Sequence, residues 1–181
     1  SFDKLEGKGF FTKEIEDALL DESIDLAVHS LKDLETNQPH GLEIVAVSDR
    51  EDPSDILVIK KHAYDPTKQL MLKENAIVGT SSVRRKAILN AFRSDLNITD
   101  LRGNVPTRID KLRDGNYDAI VLANAGVSRL KIDLSEFEVE ILKPQDFIPA
   151  PAQGVLGLQT RSKDEETKKY VSKINVPAVK S

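Results

Sequence analysis

Residues 76–123 read AIVGTSSVRRKAILNAFRSDLNITDLRGNVPTRIDKLRDGNYDAIVLA. One alternation runs through this stretch. Residues 76–79 predict a strand, 82–92 a helix, 98–101 a strand, and 105–113 a helix closed by Gly115. Residues 119–123 are almost wholly apolar, as expected of a strand covered on both faces. Strands and helices that alternate through short loops argue for an α/β fold with mixed or parallel sheets.

The same grammar extends outward. Toward the N-terminus, Phe11, Ile15, Ala18 and Leu19 recur at helical spacing, predicting a helix over 11–22. A short buried strand follows at 25–29, another at 42–47 after Pro39 and Gly41, and a third at 56–59. Toward the C-terminus, 155–159 predict a strand and 165–174 a helix. Breakers around Asp52-Pro53 and Lys143-Pro144 bracket a middle block of about 90 residues. The block reads as one domain inserted into another: residues 1–49 and 150–174 form the first, 54–146 the second, and 175–181 begin a linker. Two linkers make a hinge, with a ligand cleft expected between the lobes.

Composition narrows the function classes. The chain has 181 residues, 39% hydrophobic and 31% charged, enough apolar residues for a true core. No apolar run approaches the roughly 20 residues of a membrane span, and no signal peptide opens the chain. With no cysteine there is neither a disulfide nor a thiolate metal site, which suits the cytoplasm. A net charge of -4 and 5% aromatic residues argue against a nucleic-acid partner. Yet Arg84, Arg85, Lys86, Arg93, Arg102, Arg108, Lys111 and Arg113 crowd one stretch against Asp95, Asp100 and Asp110, which makes it a candidate local anion site in an acidic protein.

Four segments hold groups able to do chemistry. Gly79-Thr80-Ser81-Ser82-Val83-Arg84-Arg85 lies where a strand gives way to a helix, so hydroxyls and free backbone N–H groups converge. Two arginines in that first turn oppose the helix dipole, and an anion would relieve the conflict; an ordinary serine cap with solvated arginines is the plainer alternative. Leu101-Arg102-Gly103-Asn104-Val105-Pro106-Thr107-Arg108 repeats the strand–turn–helix junction, with Pro106 suited to a first turn. At Val28-His29-Ser30-Leu31-Lys32-Asp33 a strand runs into dense polar groups. A surface Lys–Asp pair and a hydrogen-bonded structural histidine are the plain reading there. Lys4-Leu-Glu-Gly-Lys8-Gly9 is a basic, glycine-rich loop. No residue spacing suggests a metal site, a P-loop or a Gly-x-Ser-x-Gly elbow.

Taken together, GKGFFTKEIEDALL, DLAVHSLKD, DREDPSD, VGTSSVRRKAIL, LRGNVPTRIDKL, YDAIVLANAG and PAQGVLGLQTR resemble hydroxymethylbilane synthase (porphobilinogen deaminase), in that family's order and spacing. The resemblance covers the chain from Lys4 to about Ile174. It implies two domains similar to type II periplasmic binding proteins, followed by a small third domain. It also implies a cytoplasmic, monomeric transferase of porphyrin and heme biosynthesis, with no membrane partner. The family joins four porphobilinogen molecules head to tail, releasing ammonia, to form hydroxymethylbilane. Its primer is a dipyrromethane bound covalently to a cysteine of the third domain.

The resemblance assigns roles to particular residues. Asp33 matches the catalytic aspartate, which stabilises positive charge on pyrrole nitrogens as ammonia leaves. Ser30, Lys32, Thr80, Ser82, Arg84, Arg85, Arg102 and Arg108 match positions that bind acetate and propionate groups, and Arg129 a further substrate-side arginine. Lys4 and Lys8 match the loop over the cleft, and Gln153 and Gly154 the hinge-side segment near the cofactor. The family's opening strand, its third domain and its cysteine are not in this sequence, and Pro151-Ala152 stands where Val-Gly is commoner. The expectation is a chain truncated at both ends, inactive by itself. The competing expectation is a non-catalytic anion or small-molecule binding module of the same architecture.

Overall fold

A computed structural model of the chain describes residues 10–174. Lys4 and Lys8 lie outside the described residues. The described residues divide into two compact units: one is formed by the chain up to Glu51 and from Pro151 onward, the other is Asp52–Ala150.

In the first unit, helix α1 (Phe10–Leu20) precedes strands β1 (Ala27–Ser30) and β2 (Leu42–Val47). After the second unit the chain returns as β8 (Leu156–Arg161) and helix α5 (Glu165–Val171). The sheet order is β1-β8-β2, and both pairings are antiparallel. β1 and β2 therefore run the same way, with the returning strand between them. Apolar residues four apart on one helix face explain the attachment of α1: Leu19 packs with Ala27 and Leu42, and Ile15 and Ile24 lie against them. α5 is capped by Asp164, whose Oδ1 accepts from the Thr167 backbone N–H at 3.0 Å, a device worth about 1 kcal/mol.

In the second unit, β3 (Asp55–Ile59), β4 (Ile77–Gly79), β5 (Asn97–Thr99), β6 (Ala119–Ala123) and β7 (Glu138–Leu142) form one mixed sheet in the order β5-β4-β6-β3-β7. β4 runs parallel to β5 and β6, while β3 is antiparallel to β6 and β7. Helices α2 (Val83–Phe92), α3 (Val105–Arg113) and α4 (Asn124–Arg129) each follow a parallel strand. All of β3 is buried, because its alternate residues serve opposite faces. Leu57 and Ile59 join Val78, Leu89, Val121 and Phe147 on one face. Ile56 and Val58 join Leu101, Ile109, Leu112 and Ile120 on the other.

The expected strands and helices are present: β2, α3 and β6 keep their expected bounds, and the ends of the others shift by a few residues. α4 and β7 were not expected. α4 has six residues around Gly126, too few to show a period. β7 alternates with its apolar Val139 and Ile141 outward, at the edge of the sheet. The sheets are of the expected mixed kind: both pairings of the first unit are antiparallel, and the second unit combines parallel with antiparallel pairs.

Candidate functional site

The topology of the second unit brings three strand ends to one edge of its sheet. β4, β5 and β6 are parallel, so the turns leading into α2, α3 and α4 leave from the same edge. β3 is antiparallel to β6, so its first residue, Asp55, lies opposite Ala123 at that edge. This is the edge at which α/β sheets gather ligands.

Local chemistry fixes the first turn. Thr80 is buried and its backbone N–H donates to the Thr99 carbonyl at 2.9 Å, continuing the β4–β5 pairing. Ser81 ties this turn to the next: its Oγ donates to the Leu101 carbonyl and accepts from the Leu101 N–H, both at 3.0 Å. Ser82 caps α2, accepting from the Arg85 backbone N–H at 3.5 Å. Gly79 cannot grow a side chain, since a Cβ there would lie 2.8 Å from the Tyr117 ring.

The two arginines of that helix start turn inward to one carboxylate. Arg85 Nη2 donates to Asp55 Oδ1 at 2.6 Å, and Arg84 Nη2 to Asp55 Oδ2 at 2.8 Å. Arg85 also donates to the Val121 carbonyl at 3.0 Å, and Arg84 to the Ile148 carbonyl at 2.6 Å. Arg84 lies 5.9 Å from the centroid of the Phe147 ring. The clash between two cations and a helix N-terminus is thus relieved by the chain's own Asp55.

Sequence reasoning missed Asp55, although a signal was there. It opens the strand Asp-Ile-Leu-Val-Ile, and a carboxylate heading a fully buried strand needs a partner.

In the second turn, Gly103 takes a φ of +112°, and a Cβ there would lie 2.8 Å from Thr107. Asn104 caps α3, its Oδ1 accepting from the Thr107 N–H at 3.0 Å. Arg108 Nε donates to the Gly103 carbonyl at 2.6 Å, while Arg102 is exposed. Arg129 ends α4, in its last turn rather than at the sheet edge.

The first unit gathers a separate set. β1 ends at Ser30 opposite Leu156, and the next residues form a single 3-10 turn, Leu31–Asp33. Asp33 is exposed at the end of that turn. Lys32 Nζ donates to Gln153 Oε1 at 3.3 Å. Gln153 is buried, and its carbonyl accepts from Arg50 Nε at 3.1 Å. Gly154 has a φ of +91°, and a Cβ there would meet the Glu51 carbonyl oxygen at 2.4 Å. A pocket lined by Leu31, Lys32, Leu34, Gln38, Ile44 and Ala152 opens beside the turn.

His29 is buried behind this turn, its Nε2 3.0 Å from Gln159 Oε1. Gln159 Nε2 donates to Gln38 at 2.7 Å and Glu16 at 3.1 Å, so its oxygen accepts and His29 Nε2 carries hydrogen. His29 is thus hydrogen-bonded and structural, as its plain reading had it, and it lies within β1 rather than after it.

The structure therefore brings Thr80, Ser82, Arg84 and Arg85 together with the turn carrying Arg102 and Arg108. In the other unit it brings Ser30, Lys32 and Asp33 together with Gln153 and Gly154. Among the described residues no cluster of three or more His, Cys, Asp or Glu could hold a metal ion. Among them, too, no helix is long and apolar enough to cross a membrane. Guanidinium, ammonium and hydroxyl donors suit a ligand rich in carboxylates.

Comparison with known proteins assigns the family. The family profile described as "Porphobilinogen deaminase, dipyromethane cofactor binding domain" matches residues 1–169. The chain is 52% identical over 163 residues to the porphobilinogen deaminase of Maridesulfovibrio salexigens, covering 90% of this chain and 51% of that protein. It is 46% identical over 172 residues to that of Chloroherpeton thalassium, covering 95% and 53%. The chain thus spans about half the length of the curated relatives it matches. Among solved structures, a double mutant of the Bordetella pertussis BvgS VFT2 domain superposes with a TM-score of 0.50 at 14% identity, covering 90% of this chain and 66% of that one. That likeness shows a shared α/β fold.

Proposed function

We propose that this chain, which belongs to the porphobilinogen deaminase family, holds the primer and the substrate of that enzyme and supplies its charge-stabilising carboxylate. The reaction joins four porphobilinogen molecules head to tail as hydroxymethylbilane. The observation that carries the proposal is the donor set at the sheet edge of the second unit, in a chain whose match to the cofactor-binding family covers residues 1–169.

Each porphobilinogen bears an acetate and a propionate, so a growing chain of pyrroles needs many cations. Arg84, Arg85, Arg102 and Arg108, with Thr80 and Ser82, would hold those carboxylates by charge-assisted hydrogen bonds. Arg129 would serve the substrate side. The same donors fit a dipyrromethane, whose side chains are also carboxylates; when bound, that group supplies the primer to which the first pyrrole is joined.

Asp33 has the chemistry for the other half of the task. In each step the bond between the aminomethyl carbon and its nitrogen breaks, a carbon–carbon bond forms to a pyrrole, and the attacked ring carbon gives up a proton. Nitrogen leaves as ammonium. Positive charge develops on the pyrrole as the amine departs, and a fixed carboxylate stabilises it. Asp33 would also accept protons during the step. Lys32 and Ser30 would add donors for ligand carboxylates beside it, and Gln153 and Gly154 would keep the turn that carries it in place. The protein would act as a cytoplasmic monomer.

A titration tests the binding part. Porphobilinogen should bind the chain, and Arg102→Leu or Arg108→Leu should each weaken it about tenfold, the worth of one charge-assisted hydrogen bond. Affinity indifferent to both substitutions would overturn the assignment.

A further inference from the structure

We infer that Asp55 is a positioning residue of the candidate anion site, holding Arg84 and Arg85 in the orientations in which they meet a ligand carboxylate. This rests on the carboxylate-binding reading above. It adds a residue of the opposite charge to that site, placed there to aim its cations.

The geometry carries the inference. The Asp55 side chain has 0% exposure and lies between two guanidiniums, giving one oxygen to each. Arg85 is 7% exposed and tied to the sheet through the Val121 carbonyl; Arg84 is 23% exposed and tied through the Ile148 carbonyl. One carboxylate thus fixes the relative aim of adjacent arginines, which left alone would repel each other and swing freely.

The arrangement is poorly chosen for stability alone. Each arginine gives Asp55 a single nitrogen, not the two-nitrogen fork, and the Nε of each is buried without a hydrogen-bond partner. Buried ion pairs often contribute less to stability than apolar residues of the same volume, so this one needs another reason to exist. Aiming two cations at a sheet edge is such a reason.

A positioning role for Asp55 and plain electrostatics predict effects of opposite sign. Asp55→Asn removes a negative charge from beside the site, so Coulomb's law alone would tighten an anionic ligand. A positioning role requires the reverse, with porphobilinogen binding about tenfold more weakly to folded Asp55→Asn, the worth of one well-aimed charge-assisted hydrogen bond. Asp55→Glu keeps the charge and displaces the carboxylate, and should weaken binding in the same direction. Equal or tighter binding by either folded variant would overturn the inference.

A second readout needs neither ligand nor variant. In the nitrogen-15 spectrum of the unmodified chain, the Nε–H groups of Arg84 and Arg85 should exchange with water at least about a hundredfold more slowly than that of exposed Arg102. Exchange as fast as that of Arg102 would refute the clamp. If porphobilinogen fails to bind the unmodified chain, the carboxylate-binding reading falls, while this exchange measurement still decides whether Asp55 fixes the arginines.

Discussion

Replacing Gly154 by alanine isolates one packing constraint beneath the Asp33 turn. The residue has a φ of +91°, and its new Cβ would lie 2.4 Å from the Glu51 carbonyl oxygen, a backbone atom that cannot swing aside. The left-handed backbone costs an L-residue about 1–2 kcal/mol. Relieving a clash of that depth requires backbone movement of the kind that costs about 1–3 kcal/mol in a well-packed site. Together these give about 2–5 kcal/mol, against a total stability of about 5–15 kcal/mol for a domain. Gly115 is the internal control. It has a φ of +88°, but its nearest contact for a Cβ is the Lys60 ammonium at 3.7 Å, the far end of a flexible side chain. Gly115→Ala should therefore show the backbone cost without the clash. Thermal unfolding followed by far-ultraviolet circular dichroism should place Gly154→Ala about 5–20 °C below the parent chain, and well below Gly115→Ala. The neighbouring Gln153 carbonyl and side chain hold Arg50 and Lys32, so the Lys32 environment should change in the same variant. Equal melting temperatures for the two alanine variants would refute the reasoning.

Three further outcomes follow from the structure. Leu57→Ala, in the fully buried β3, should destabilise the second unit by about 2–5 kcal/mol in urea; a change below about 1 kcal/mol would mean that the two-faced packing is misassigned. On acidification, the Ser54 backbone N–H holds the Asp52 carboxyl below its ordinary 3.8, the Arg93 guanidinium does so for Asp95, and Lys86 does so for Asp100. Depressed folded values contribute stability that is present above 3.8 and lost as pH falls through the folded values, so the urea midpoint should fall below about pH 4 and not rise. The 181-residue chain alone, with no cysteine to tether a primer, should not sustain porphobilinogen consumption, since tethering supplies effective concentration and orientation; steady turnover by it would contradict the tether.

Much of the fold was legible because the local signals agreed. α3 and β6 begin and end where expected: the asparagine cap, Pro106 and Gly115 punctuate the helix, and an unbroken apolar run marks a strand with no solvent face. β7 was not legible, because its period-two pattern is only five residues long and turns its apolar side outward. The candidate site was legible as motifs but not as a network. Ser82 caps α2, as the plainer reading of its motif had it, and the arginines after it called for an anion. That the anion comes from β3, some thirty residues earlier in the chain, depends on antiparallel pairing that places Asp55 opposite Ala123. Long-range pairing of this kind leaves no local trace beyond an acidic residue at the head of an apolar strand.

A protein carrying this chain together with the remainder of its relatives' length is proposed to polymerise porphobilinogen with Asp33 as its charge-stabilising carboxylate. The direct measurement is steady-state porphobilinogen consumption, with product oxidised to uroporphyrin, by that protein and by its Asp33→Asn variant. The amide keeps the shape of an exposed side chain, so the variant should fold with an unchanged melting temperature and bind porphobilinogen, yet turn over at least about a hundredfold more slowly. Equal turnover by the two proteins would contradict the account.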